Sequence, residues 1–213
     1  MTPQEMSEVT RRLCTLAPVI PVLVIDDLAH AEPLARALVA GGLPVLEVTL
    51  RTPQALEAIA LMSKVEGGVV GAGTVLNGED VSRAKSAGAR FAVSPGATPD
   101  LLSACEAADL PILPGAATSS EVMALLARGY RTAKFFPAST IGGAAGLKAI
   151  GAPLPQMSFC PTGGITPENA RDYLKLSNVL CVGGSWVAPK AMLEAGDWEG
   201  ITALARAAAQ LKG

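Results

Sequence analysis

The sequence predicts an α/β protein, a (β/α)8 barrel of the TIM type with one helix ahead of it, and three observations carry the prediction. Eight short apolar runs recur, their starts 20 to 26 residues apart. Between them lie stretches whose apolar residues repeat at helical spacing. The runs are continuous rather than alternating, which suits strands buried on both faces. Eight strand–helix units in 213 residues fit a small parallel barrel. An open doubly wound sheet is the structural alternative. Against it, no GxGxxG follows the first strand, and the repeating unit keeps a nearly constant length. A single domain over residues 1–213 is expected, with 1–18 as the leading helix and 19–213 as barrel and final helix.

Glu5 to Leu16 has helical spacing and is expected to cover one end of the fold. The predicted strands are Val19–Ile25, Val45–Leu50, Val69–Thr74, Phe91–Pro95, Ile112–Pro114, Thr132–Pro137, Ser158–Pro161 and Val179–Val182. The predicted helices between them are Leu28–Ala40, Pro53–Val65, Glu79–Ala87, Pro99–Ala108, Ser119–Ala127, Ala144–Ile150 and Pro167–Leu174. Helix stops stand at Gly41-Gly42, Gly67-Gly68, Gly88 and Gly129, where glycine ends a helix without steric cost. Helix starts carry Thr ahead of the run at Thr52, Thr98, Thr118 and Thr166. Asp197 to Lys212 reads as a final amphipathic helix.

Composition excludes several classes. Seventeen Lys and Arg stand against nineteen Asp and Glu, with no basic tract, so no nucleic-acid partner is expected. No apolar run approaches the ~18 residues of a membrane span. The first twelve residues carry Glu5, Glu8, Arg11 and Arg12, the wrong chemistry for a secretory signal. A cytoplasmic protein is expected. Cys14, Cys105, Cys160 and Cys181 lack metal-ligand spacing and read as reduced, packed thiols. The single histidine, His30, opens a helical segment and reads as a surface residue, so acid–base chemistry must come from elsewhere.

The run Thr132-Ala133-Lys134-Phe135-Phe136-Pro137 places a lysine in an apolar strand. A buried ammonium costs several kcal/mol, so such a lysine sheds its proton or finds a partner. A neutral amine attacks carbonyl carbons and forms a Schiff base. The other six lysines lie in polar, helical or loop-like surroundings. Strand two likewise holds Glu47 within an apolar run. Side chains two apart share a strand face, so Glu47, Thr49 and Arg51 point one way, as do Lys134 and Phe136. The carboxylate and the lysine can meet across the barrel, as a reactive pair or as a structural salt bridge. Chemistry in such barrels lies at the carboxyl ends of the strands, and the loops after strands seven and eight often bind phosphate. Here those loops carry Gly163-Gly164 and Gly183-Gly184-Ser185, the first followed by a predicted helix whose N-terminus would favour an anion. Gly71-Ala72-Gly73-Thr74 reads either as a similar close approach or as tight packing.

The motifs Glu47-Val48-Thr49-Leu50-Arg51-Thr52, Gly71-Ala72-Gly73-Thr74-Val75-Leu76, Ser94-Pro95-Gly96, Lys134-Phe135-Phe136-Pro137-Ala138, Phe159-Cys160-Pro161-Thr162-Gly163-Gly164 and Gly183-Gly184-Ser185-Trp186 together resemble those of the bacterial 2-keto-3-deoxy-6-phosphogluconate / 4-hydroxy-2-oxoglutarate aldolases. The likeness runs from about Val19 to Trp198, in order and at matching spacing. It implies a class I aldolase of the Entner–Doudoroff route, usually a homotrimer, with no metal or other cofactor. It implies that Lys134 forms the Schiff base and that Glu47 is the acid and base. Arg51 and Thr74 would meet the pyruvyl carboxylate, and Pro95 and Phe136 would line the pocket. Thr162 would meet the hydroxyl region, and Gly163, Gly164, Gly184 and Ser185 would hold the phosphate. The implied partners are a phosphorylated keto acid and pyruvate. Ser139-Thr140-Ile141 departs from a Glu-containing loop of some relatives. The alternatives are the galactonate-derived epimer or the unphosphorylated 4-hydroxy-2-oxoglutarate as substrate, and a noncatalytic phosphate-binding barrel in which Lys134 and Glu47 are a structural pair. Arg51 and Cys160-Pro161-Thr162 favour the gluconate type, by resemblance.

Overall fold

The computed structural model describes residues 1–211. Its strands are β1 (Val19–Leu23), β2 (Val45–Thr49), β3 (Val69–Gly73), β4 (Ala92–Val93), β5 (Ile112–Leu113), β6 (Gly115–Ala116), β7 (Thr132–Phe135), β8 (Ser158–Pro161) and β9 (Val182–Gly184). Its helices are α1 (Pro3–Cys14), α2 (Ala31–Ala40), α3 (Ala55–Met62), α4 (Gly78–Ser86), α5 (Pro99–Ala107), α6 (Ser119–Arg128), α7 (Gly143–Gly151), α8 (Ala170–Leu174), α9 (Lys190–Ala195) and α10 (Trp198–Ala209). All strand pairs are parallel, in the orders β5-β4-β3-β2-β1-β9 and β6-β7-β8. Two isolated bridges, Phe159 with Val179 and Thr162 with Gly183, close the ring between β8 and β9.

The predicted strand Ile112–Pro114 is thus two pieces that share one barrel position. Pro114 has no N–H to give a ladder. Before it the chain pairs with β4, and after it with β7. The Pro114 carbonyl still accepts the Lys134 backbone N–H at 2.8 Å. The last predicted strand also sits later than expected, at Val182–Gly184, because Val179 makes only a bridge. The six-residue helix α9 is absent from the sequence reading. The final helix ends at Ala209, with Gln210 as its cap and Leu211 beyond it, so it is shorter than predicted; Lys212 lies outside the described residues.

Local signals explain most boundaries. Thr98 and Thr118 cap α5 and α6 with their hydroxyls, the second within a capping box completed by Glu121. Thr52 and Thr166 do not cap. The Thr52 hydroxyl instead donates to Ile25 O at 2.6 Å, and α3 starts only at Ala55. Gly129 ends α6 at φ 110°, a conformation a side chain would resist. Helix α1 closes the amino end of the barrel. Arg131 N–H donates to Ser7 Oγ, Thr132 Oγ1 to Ser7 O, and Arg11 Nη1 to Ser158 Oγ. Those partners stand at the starts of β7 and β8.

Two layers of core follow. Ile20, Val45, Phe91, Val93, Leu113, Cys14, Cys160 and Cys181 fill the barrel interior. A larger apolar layer joins the outer strand faces to the helices. All four cysteines are buried free thiols. His30 is half-buried, its ring edge-on to Trp198 at 5.8 Å, rather than a free surface residue.

A polar strut ties α5 to the end of α6. Arg128 Nε and Nη2 donate to the two Glu106 oxygens at 2.8 and 2.9 Å, and Tyr130 donates its hydroxyl to Oε1 at 3.0 Å. The Arg128 hydrogen bonds, helped by Tyr130 and opposed by partial burial, hold the Glu106 carboxyl below its ordinary range. A depressed folded-state value means that the stabilisation is present at neutral pH and fades as pH falls through it. Glu106→Gln is therefore expected to cost about 1 kcal/mol at pH 7, since both side chains keep about a quarter of their exposure to solvent. The gap from wild type should close below roughly pH 4. Urea unfolding of both proteins across that range checks it.

Candidate active site

Alternation along the strands decides what faces the lumen. On β2, Val45 joins the interior core, while Glu47 and Thr49 point into a cavity at the carboxyl end. On β8, Cys160 lies in that core and Thr162 lines the cavity above it. The cavity has a volume of about 320 Å³, the size of a site for a small metabolite. All eleven residues selected from the sequence line it: Lys134, Glu47, Arg51, Thr74, Pro95, Phe136, Thr162, Gly163, Gly164, Gly184 and Ser185. Val22, Thr49, Ile165 and Gly183 complete the lining. Val22 was legible as the inward neighbour of Ile20 two residues earlier, and Ile165 had no signal beyond its place after the glycines.

Strands β2 and β7 lie on opposite sides of the ring. Lys134 Nζ nevertheless reaches Glu47 Oε1 at 3.1 Å, and the two side chains are 7% and 4% exposed. The Nζ also sits 5.2 Å from the centre of the Phe136 ring. Burial has thus been met by pairing. A purely structural bridge needs no cavity beside it, whereas this pair forms part of a cavity wall.

Strand β3 makes room for the pair. A side-chain carbon on Gly73 would strike the Glu47 carboxylate, and one on Gly71 would strike the Phe91 ring. Of the two readings of Gly71 to Thr74, tight packing holds for both glycines, and only Thr74 lines the cavity. Thr74 has φ 60°, a left-handed conformation that a β-branched residue adopts at a cost of about 1–3 kcal/mol. Hydrogen bonds on either side fix it, from Leu50 N–H to Gly73 O at 2.8 Å and from Val75 N–H to Val93 O at 3.1 Å.

Arg51 stands at one end of the cavity lining. Among the described residues it has no carboxylate partner, and its Nε donates to Thr49 Oγ1 at 3.2 Å. At another side lie Gly163, Gly164, Gly183, Gly184 and Ser185, where no large side chain separates backbone from cavity. The helix predicted over Pro167–Leu174 starts only at Ala170 and is five residues long. The intervening residues form a loop in which Thr166 N–H donates to Asn169 Oδ1 and Asn169 Nδ2 donates to Gly164 O. Backbone approach, not a helix N-terminus, is what these glycines offer. The divergent loop reaches them too. Ser139 N–H donates to Gly163 O, and a side-chain carbon on Gly164 would strike Ser139 Oγ. The lining carries two cationic side chains, Lys134 and Arg51, against the single carboxylate of Glu47, so it suits an anion.

A lysine and a carboxylate that meet in a cavity at the carboxyl end of a (β/α)8 barrel are the groups an imine-forming lyase of the class I aldolase kind requires. The family model described as "KDPG and KHG aldolase" matches residues 10–204. The chain belongs to that family. It is 53% identical over 192 residues to the 2-dehydro-3-deoxy-phosphogluconate aldolase of Pseudoalteromonas atlantica, covering 90% of this chain and 89% of that one. The 2-keto-3-deoxy-6-phosphogluconate aldolase of Zymomonas mobilis ZM4, solved with 3-phosphoglycerate, superposes with a TM-score of 0.93 at 52% identity over 97% of each chain. The KDPG aldolase of Legionella pneumophila, solved with pyruvate captured as a covalent carbinolamine, gives a TM-score of 0.91 at 47% identity over 94% of this chain and 98% of that one. Among the described residues, no helix is long and apolar enough to cross a membrane.

Proposed function

We propose that this protein cleaves 2-dehydro-3-deoxy-6-phospho-D-gluconate to pyruvate and D-glyceraldehyde 3-phosphate, as the aldolase of the Entner–Doudoroff route, through a Schiff base on Lys134. The observation that carries the reading is the buried Lys134–Glu47 contact, 3.1 Å long, in the wall of a cavity that also holds Arg51 and the glycine loops. The same site cleaves 4-hydroxy-2-oxoglutarate to pyruvate and glyoxylate, without using the phosphate end. The protein acts in the cytoplasm as one barrel domain over residues 1–213, and as a homotrimer, the last by family likeness.

The chemistry follows from the pair. Proton transfer from Nζ to Glu47 leaves a neutral amine, which attacks the C2 ketone and forms a carbinolamine. Glu47 returns the proton as water leaves, giving a protonated imine. That cation draws in the electrons of the C3–C4 bond once the Glu47 carboxylate takes the proton of the C4 hydroxyl. The aldehyde departs and an enamine remains. Glu47 then protonates C3, and hydrolysis of the imine releases pyruvate and restores Lys134. Arg51 holds the carboxylate with parallel N–H groups, beside Thr74. Thr162 meets the hydroxyl region, and Pro95 and Phe136 wall the reacting carbons from water. Gly163, Gly164, Gly184 and Ser185 hold the phosphate, whose binding orients the substrate without touching the bond that breaks.

The direct test is incubation with pyruvate and borohydride, followed by peptide mass analysis for a reduced adduct on Lys134. The phosphate assignment has its own test. Ser185→Ala should lower kcat/KM for the phosphorylated substrate by about 10-fold or more, the worth of one hydrogen bond to a charged group. It should leave 4-hydroxy-2-oxoglutarate nearly unaffected. An unchanged ratio of the two removes Ser185 from the phosphate site.

A further inference from the structure

The Arg51 guanidinium is exposed at the cavity mouth and unpaired with any carboxylate among the described residues, yet it is not free. Its Nε donates to Thr49 Oγ1 at 3.2 Å. Thr49 is 2% exposed, and its hydroxyl proton is committed to Leu23 O at 2.9 Å. The polarity of this chain is therefore set. The hydroxyl gives its proton to the end of β1, so only its lone pairs face the guanidinium. One residue beyond Arg51, Thr52 donates to Ile25 O at 2.6 Å. Arg51 thus lies between two threonines, one anchored to the last carbonyl of β1 and the other to a carbonyl two residues beyond it.

A guanidinium can meet a carboxylate through the edge that includes Nε or through its two terminal nitrogens. With Nε occupied, the terminal edge is the one left for a ligand. Arginine also carries large rotamer freedom, which a ligand must otherwise suppress on binding. We propose that Thr49 is a positioning residue for keto-acid binding, holding Arg51 by its Nε so that the terminal N–H pair is presented to the carboxylate. The inference rests on the aldolase reading given above. Thr49 does not touch the reacting carbons in this scheme; it acts through Arg51.

The test measures the pyruvate concentration that half-saturates borohydride trapping on Lys134, in wild type, Thr49→Val, Thr49→Ser, Arg51→Leu and the Thr49→Val/Arg51→Leu double variant. Valine keeps the shape and removes the hydroxyl; Thr49→Ala serves as a second variant if valine prevents folding. Thr49→Val is expected to raise the half-saturating concentration about 5- to 10-fold, as fits one lost hydrogen bond. The trapping rate at saturation should stay within about 2-fold, and serine should restore the affinity. In the Arg51→Leu background, Thr49→Val should add less than about 2-fold, because its partner is gone. Trapping of hydroxyacetone, a ketone with no carboxylate, should not change in Thr49→Val. Unchanged pyruvate affinity, additive effects in the double variant, or equal losses for hydroxyacetone each overturn the proposal. Absence of any adduct in wild type overturns the aldolase reading itself, and this inference with it.

Discussion

Lys134→Ala is expected to abolish the pyruvate adduct and to lower kcat for aldol cleavage on the order of 10⁴-fold or more, as removal of a covalent nucleophile does elsewhere. The effect has no second route. Among the described residues, no other lysine lines the cavity, so no neighbouring amine can form the imine in its place. The change should leave the fold intact. It removes one member of a buried pair, and the Glu47 left behind lines a cavity that water can enter. Circular dichroism and steady-state cleavage on the same preparation check both halves. Wild-type-like turnover in a folded Lys134→Ala protein would end the Schiff-base reading.

Glu47→Gln should separate acid–base chemistry from nucleophilicity. Gln keeps the volume and an oxygen for the Lys134 ammonium, but it cannot take and return a proton. Cleavage is expected to slow by about 10² to 10⁴-fold, the usual worth of a placed acid or base. The pyruvate adduct should still accumulate over long incubation, since Nζ remains. A drop smaller than tenfold in kcat would move the proton-transfer role to some other group. The partner must fit the space that Gly73 leaves, because a side chain there would collide with the carboxylate.

Much of this arrangement was legible in the chain. Apolar runs mark the inner strands because both faces of a barrel strand are buried. The same logic exposes Glu47 and Lys134, which are costly in such runs and so need a reason. Alternation by two then placed Glu47, Thr49 and Arg51 on one side, and they do line one cavity. What could not be read depends on contacts distant in sequence. Pro114 divides a strand because it lacks the N–H a ladder needs, but which neighbour each half pairs with is set by the ring and not by any local pattern. Helix α9 has only six residues after Pro189, too few to show a helical repeat in the sequence. The left-handed Thr74 runs against the preference of its residue type, and only surrounding structure can impose it. The Gly163-Gly164 pair predicted a turn into a helix, but Asn169 folds the intervening residues back onto Gly164 instead.

The closure between β8 and β9 rests on two bridges, where β2 and β3 are paired at five positions. A thin seam of the ring therefore runs beside the loops that would grip an anion. A ligand seated there touches both banks of the seam and acts as a removable clasp. Occupancy at about 100 times the dissociation constant would add about 2.7 kcal/mol against unfolding. The protein would then be sturdiest while its metabolite is plentiful and easiest to dismantle when the supply runs out.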